Sequence, residues 1–151
     1  MRYRHVALFV GADLRSAEEY YARLFGMEVV LREGPLEPGG PDAGLWAQLP
    51  HDATWDDAEA AGVVIGMVAL QRGDVILPLF AAPPTGDRTY AIGLVAERSV
   101  IQEVRSRLTD ELVEGADEAW LAFVDRYGQR WQLSETAPFE GAGAKGRWLA
   151  V

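Results

Sequence analysis

The residues able to do chemistry are few. His5 stands at the head of an apolar run, and the only other histidine is His51. An imidazole titrates near neutrality, so His5 suits a general acid or base. It equally suits a hydrogen bond to Gln132 across a cleft. The Gln132 amide both donates and accepts, as an orienting group must. Arg130 is either an anchor for an anionic ligand or a surface charge near a strand end. Five tryptophans add stacking capacity. Trp46 and Trp55 flank an irregular loop and could close over a ligand. Trp120 and Trp131 lie in strand-like runs and are expected in the core. Trp148 lies in the tail, where a subunit interface could use it.

Other chemistries are excluded. With no cysteine, disulfides, thiolate metal sites and a cysteine nucleophile are impossible. No Ser-His-Asp set or paired acidic dyad is identifiable. Gly39-Gly40 lacks the strand before and helix after that nucleotide binding needs. The net charge of -9 and the absence of clustered Lys and Arg disfavour nucleic acid. An acidic surface favours cationic ligands or simply serves solubility. No apolar run approaches the length of a membrane span, and the N-terminus lacks a signal-peptide pattern. A single cytoplasmic domain over residues 1–151 is expected.

The elements that must position these residues come in two copies. His5 to Val10 leads to Asp13 and a helix-like run, Leu14, Ala17, Tyr21, Leu24 and Phe25, closed by Gly26. Ala91 to Ala96 leads to Ser99 and a run ending at Leu108. Ser99 and Gln102 form an expected capping box. Strands are expected at 2–10, 27–33, 46–49, 63–71, 74–80, 89–96, 111–114, 120–124 and 130–134. A brief helix, 55–61, follows Thr54. Residues 34–62 form the least regular stretch. Asp125 to Gly128 reads as a hairpin turn. The organisation is module one at 1–80, a linker at 81–88, module two at 89–135 and a tail at 136–151. The predicted fold is α+β: two βαβββ modules forming a curved mixed sheet around a cleft, with helices on the outer face.

Strand alternation then names the cleft lining. Strand one offers Tyr3, His5, Ala7 and Phe9; the strand at 74–80 offers Ile76, Pro78 and Phe80. Module two offers Thr89, Ala91, Gly93, Arg130, Gln132 and Ser134. Such a face, aromatic and apolar with a few polar groups, fits a small-molecule pocket. The ligand-binding candidates are Tyr3, His5, Phe9, Trp46, Trp55, Phe80, Arg130 and Gln132. The opposite face, with Val6, Leu8, Val10, Ile92, Leu94, Trp131 and Leu133, should pack under the helices.

The segments His5–Val10 with Asp13-Leu14, Tyr20–Met27, and Phe123–Leu133 with its aspartate-x-x-glycine turn resemble the vicinal oxygen chelate superfamily. That superfamily contains glyoxalase I, extradiol dioxygenases and bleomycin resistance proteins. The resemblance covers about residues 2 to 135. It implies a homodimer, and in metal-dependent members one ligand from each of four strands. His5 falls at the first-strand position and Gln132 at the last-strand position. Pro78 and Ala91 fall at the other two, and neither can coordinate. A slip of one residue substitutes Leu77 or Leu79, and Tyr90 or Ile92. Nothing in the spacing of His51 and Asp52 supports a substitute site. The expectation is therefore a metal-free, cofactor-free protein binding a small organic molecule in resistance or secondary metabolism. The alternative is a divalent-metal-dependent lyase, isomerase or dioxygenase, or a metal-free reaction at His5.

Overall fold

The computed structural model describes residues 6–36, 46–50, 52–82 and 92–135. Tyr3, His5, His51, Thr89, Tyr90, Ala91 and Trp148 lie outside the described residues. The chain divides into two compact units, Met1–Gly86 and Asp87–Val151.

In the first unit, β1 (Leu8–Phe9) leads to α1 (Leu14–Phe25). Asp13 caps the helix start by accepting from the Ser16 amide, and Gly26 ends it in the left-handed conformation at φ 60°. The buried face comprises Leu14, Ala17, Glu18, Tyr20, Tyr21, Leu24 and Phe25. Strand β2 (Glu28–Pro35) carries a bulge between Val29 and Leu31. It pairs with β3 (Trp46–Gln48) and with β4 (Met67–Arg72). Between β3 and β4 lies the short α2 (Trp55–Ala60), held by a capping box of Thr54 and Asp57. A Leu36–Val63 bridge closes the neck of this insertion. There a Cβ on Gly34 would lie 1.9 Å from the Val64 carbonyl oxygen, so only glycine fits. Strand β5 (Val75–Phe80) follows β4 through a turn at Gly73 and runs parallel to β1. The sheet order is β1-β5-β4-β2-β3.

The second unit repeats the plan. Strand β6 (Ile92–Val95) leads to α3 (Arg98–Arg107) and then β7 (Leu112–Ala116), β8 (Trp120–Val124) and β9 (Arg130–Ser134). The order is β6-β9-β8-β7, with β6 parallel to β9. A bulge between Val113 and Gly115 recurs in the strand equivalent to β2. The fold is thus α+β, built of two mixed sheets. No described helix is long and apolar enough to cross a membrane.

Some expectations need correction. The helix predicted to start at a Ser99–Gln102 capping box begins earlier. Its N-cap is Glu97, whose side chain makes no capping bond. The strand predicted over 63–71 begins only at Met67, because Val63 is spent on the bridge to Leu36. Trp131 is buried as predicted, but Trp120 is 37% exposed. It lies on the sheet face away from α3, across from Ser134 in β9, and its ring lies over Gly115.

Candidate functional site

Each sheet has one face packed under its helix and one open face, and register separates the two. In the first unit Leu8, Leu79, Val68 and Arg32 are successive cross-strand partners. Arg32 bonds Glu18 of α1, which makes this the helix side. The next row across the sheet therefore belongs to the open face: Phe9, Phe80, Met67, Glu33 and Gln48. The Phe9 and Phe80 rings contact each other in a tilted pair, 6.0 Å between centroids. Beside that row, Pro78, Ala69 and Leu31 are also partners. Pro78 and Ala69 keep their part of the face low.

The open face of the second unit has the same relief with different chemistry. Gly93, Gln132, Ala122 and Gly115 form its low row. Val95, Ser134 and Trp120 form the bulky row beside it. Gln132 is half-buried and flanked by two small residues, which leave room above its amide. Among the described residues no hydrogen bond holds that amide.

Of the eight residues named from the sequence, Phe9 and Phe80 come together on the first open face, and Trp46 lies on the same face. Trp46 is 56% exposed. Its ring edge would be 3.1 Å from a Cβ on Gly66, so the indole reaches into space that glycine leaves. Gln132 and Arg130 share the second open face. Arg130 is engaged by Glu114 through two charge-assisted bonds of 2.7 and 2.5 Å. Trp55 stands elsewhere: its indole Nε1 donates to Glu18 Oε2 at 3.1 Å, on the helix side of the first sheet. Tyr3 and His5 lie outside the described residues. Sequence reasoning did not select Glu33, Met67 or Trp120 for the open faces. For Glu33 the obstacle is the bulge at Val30, which breaks the alternation of β2.

A depression of about 430 Å³ at the turn of the β4–β5 hairpin is lined by Gly26, Glu28, Val30, Gln71, Arg72 and Gly73. Arg72 there donates to the Phe25 carbonyl at the end of α1 (2.5 Å), a structural use of its charge.

No protein-family profile matches the chain, and no curated protein matches it in sequence. Solved structures match in fold. The fosfomycin resistance protein FosX from Listeria monocytogenes superposes with a TM-score of 0.61 at 13% identity, covering 97% of this chain and 97% of that one. A mutant of the same protein, complexed with Mn(II) and 1S,2S-dihydroxypropylphosphonic acid, gives 0.59 at 12% identity, covering 91% and 93%. Lactoylglutathione lyase from Agrobacterium tumefaciens gives 0.51 at 18% identity, covering 88% and 92%. The chain thus shares the α+β fold of these fosfomycin resistance and lactoylglutathione lyase structures.

Among the described residues the donor set does not fit an ion such as the Mn(II) held in that FosX mutant structure. The open face of β5 carries Ile76, Pro78 and Phe80, none with a donor. Gly93 occupies the open face of β6. Among the described residues no group of three His, Cys, Asp or Glu side chains could hold an ion. Gln132 alone would bring a neutral amide, whereas divalent ions need several converging donors.

Proposed function

We propose that this protein binds a small organic molecule on its open sheet faces without a metal, in a resistance or secondary-metabolism role. The observation that carries this reading is the low row at Gly93, Gln132, Ala122 and Gly115 beside the Trp120 row. It combines an uncommitted amide, space and an aromatic wall, the usual composition of a ligand surface. The fold neighbours named for fosfomycin resistance support a resistance role by analogy, and fold alone carries function weakly. The metal-dependent lyase, isomerase or dioxygenase is the less favoured reading, because β5 and β9 supply a proline and an amide where donors would be needed.

Elemental analysis of protein purified without chelator should find far less than one divalent ion per chain. EDTA should leave the melting temperature unchanged. A thermal-shift screen should find bulky aromatic or cationic compounds that stabilise the chain. A stoichiometric metal would overturn the metal-free reading, and a screen without any stabilising compound would overturn ligand binding itself.

A further inference from the structure

Among the described residues the open face of the first unit carries two carboxylates by register: Glu28, which is exposed at the end of β2, and Glu33, which is half-buried. Glu33 stands in the row Phe9, Phe80, Met67, Glu33 and Gln48. It is half-buried, and among the described residues its carboxylate has no ion-pair or hydrogen-bond partner. The arginines on neighbouring elements are engaged elsewhere: Arg32 bonds Glu18 on the opposite face, and Arg72 bonds the Phe25 carbonyl. A partly desolvated carboxylate beside Met67 is stabilised by a cation that offsets it. Trp46 lies on the same face two residues before Gln48, the cross-strand partner of Glu33, and its indole is exposed. A carboxylate and the face of an indole are the two groups that attract an organic ammonium. From Phe9 to Glu33 the row crosses three inter-strand gaps, about 14 Å.

We infer that this face takes an organic cation, an ammonium carried on an apolar body, with Glu33 as counter-charge, Trp46 as π-face and the Phe9–Phe80 pair against the apolar end. This inference names the ligand class and rests on the reading of the open faces as ligand surfaces. An anionic ligand is disfavoured on the same face, because it would meet Glu33 and no available cation among the described residues.

Three probes of one length separate the possibilities: 4-phenylbutyl-trimethylammonium, its uncharged tert-butyl isostere and 4-phenylbutylphosphonate. Each is titrated into the full chain by calorimetry. The cation should bind about fivefold or more tightly than the isostere, the size of a partly desolvated charge and cation–π contribution. Glu33→Gln should abolish that preference while leaving isostere binding unchanged. Its melting temperature should stay near wild type, since no partner is orphaned. Trp46→Leu should weaken the cation more than the isostere. Raising salt from about 0.05 M to about 0.5 M should weaken only the cation. If the isostere or the phosphonate binds as well as the cation, or if Glu33→Gln leaves the preference intact, the inference fails while ligand binding stands. If none of the three binds at millimolar concentration, the inference fails, and the thermal-shift screen alone decides whether the chain binds any ligand.

Discussion

Two charged side chains are buried among the described residues, Glu18 in the first unit and Asp125 in the second. Each accepts an indole N–H. Trp55 donates to Glu18 at 3.1 Å, and Trp131 donates to Asp125 Oδ2 at 2.8 Å. The resemblance ends at the reach of the bonds. Asp125 serves a local turn: its Oδ1 accepts from the amides of Tyr127 and Gln129, both at 2.9 Å. Glu18 joins remote segments. Arg32 of β2 pairs with it through bonds of 2.8 and 2.6 Å and also donates to the Ala53 carbonyl, at the approach to α2. A duplicated plan has thus been stabilised in two ways, by a turn in one copy and by a clamp on an insertion in the other. Buried polar groups persist only where their partners are complete, so each unit should fail at its own carboxylate.

The clamp should give the larger effect. Glu18→Ala leaves the Arg32 guanidinium 12% exposed and without its counter-charge. The loss should be about 3–5 kcal/mol in urea unfolding, because an orphaned buried charge costs more than the pair contributes. Adding Arg32→Met should recover most of it. Hydrogen exchange at 52–61 should rise in the single variant before the rest of the unit opens. Recovery absent from the double variant would show that the carboxylate matters through Trp55 rather than Arg32. Asp125→Ala should cost less, about 2–3 kcal/mol, because it orphans neutral donors, the buried Trp131 Nε1–H and two turn amides, and no buried charge. Its exchange should rise at the β8–β9 hairpin and leave 52–61 unchanged. If both variants loosened the same segment, the contrast between a local and a remote carboxylate would be wrong.

Part of this contrast was legible in the sequence. Helix α1 was marked by Asp13 and Gly26 at its ends, and the structure places the N-cap and the left-handed C-cap at those residues. The strands at 120–124 and 130–134 were bounded by a turn whose Asp and Gly have local roles, and they were found as predicted. Local signals therefore survived. The failures came where tertiary pairing competes with local preference. Ser99 and Gln102 satisfy a capping pattern, yet the helix runs through Ser99 from Arg98. Val63 continues an apolar run, yet it pairs with Leu36 across the insertion neck. Trp120 alternates with core residues in a way that shows which face it takes but not which face is covered. The candidate site was legible on β1, β5 and β9, where alternation is unbroken. It was hidden on β2, where the bulge shifts Glu33 relative to Val29.

A smaller comparison concerns the tryptophans of the open faces, each lying over a glycine. A Cβ on Gly115 would approach Trp120 to 2.6 Å, and one on Gly66 would approach Trp46 only to 3.1 Å. The first must move the ring; the second asks for a few tenths of an ångström. Gly115→Ala should therefore destabilise by about 1–2 kcal/mol and shift the fluorescence of Trp120. Gly66→Ala should cost well under that. Equal effects would mean that the backbone at Gly115, next to the bulge, rather than its tryptophan, sets the cost.

The smallest effect should appear at the helix starts, and it should again separate the units. Asp13 accepts from the Ser16 hydroxyl at 2.7 Å and from its amide at 3.0 Å, and these bonds hold its carboxyl below the ordinary value of 3.8. The Thr54 hydroxyl and amide do the same for Asp57. In the second unit Glu97 makes no side-chain capping bond at all. A carboxyl whose value is lowered by folding adds stability that is complete above its unfolded value and is lost as pH falls through the lower folded one. Both aspartates are exposed, so fraying is expected instead of global unfolding. Amide exchange at Ser16 and Thr54, whose N–H groups donate to the two carboxylates, should accelerate, relative to the intrinsic rate, as pH drops from about 5 to about 2. The amides of Val100 and Ile101, which bond the Glu97 carbonyl, should show no such step. A step of equal size at α3 would mean that acid acts on the helices through net charge and not through their caps.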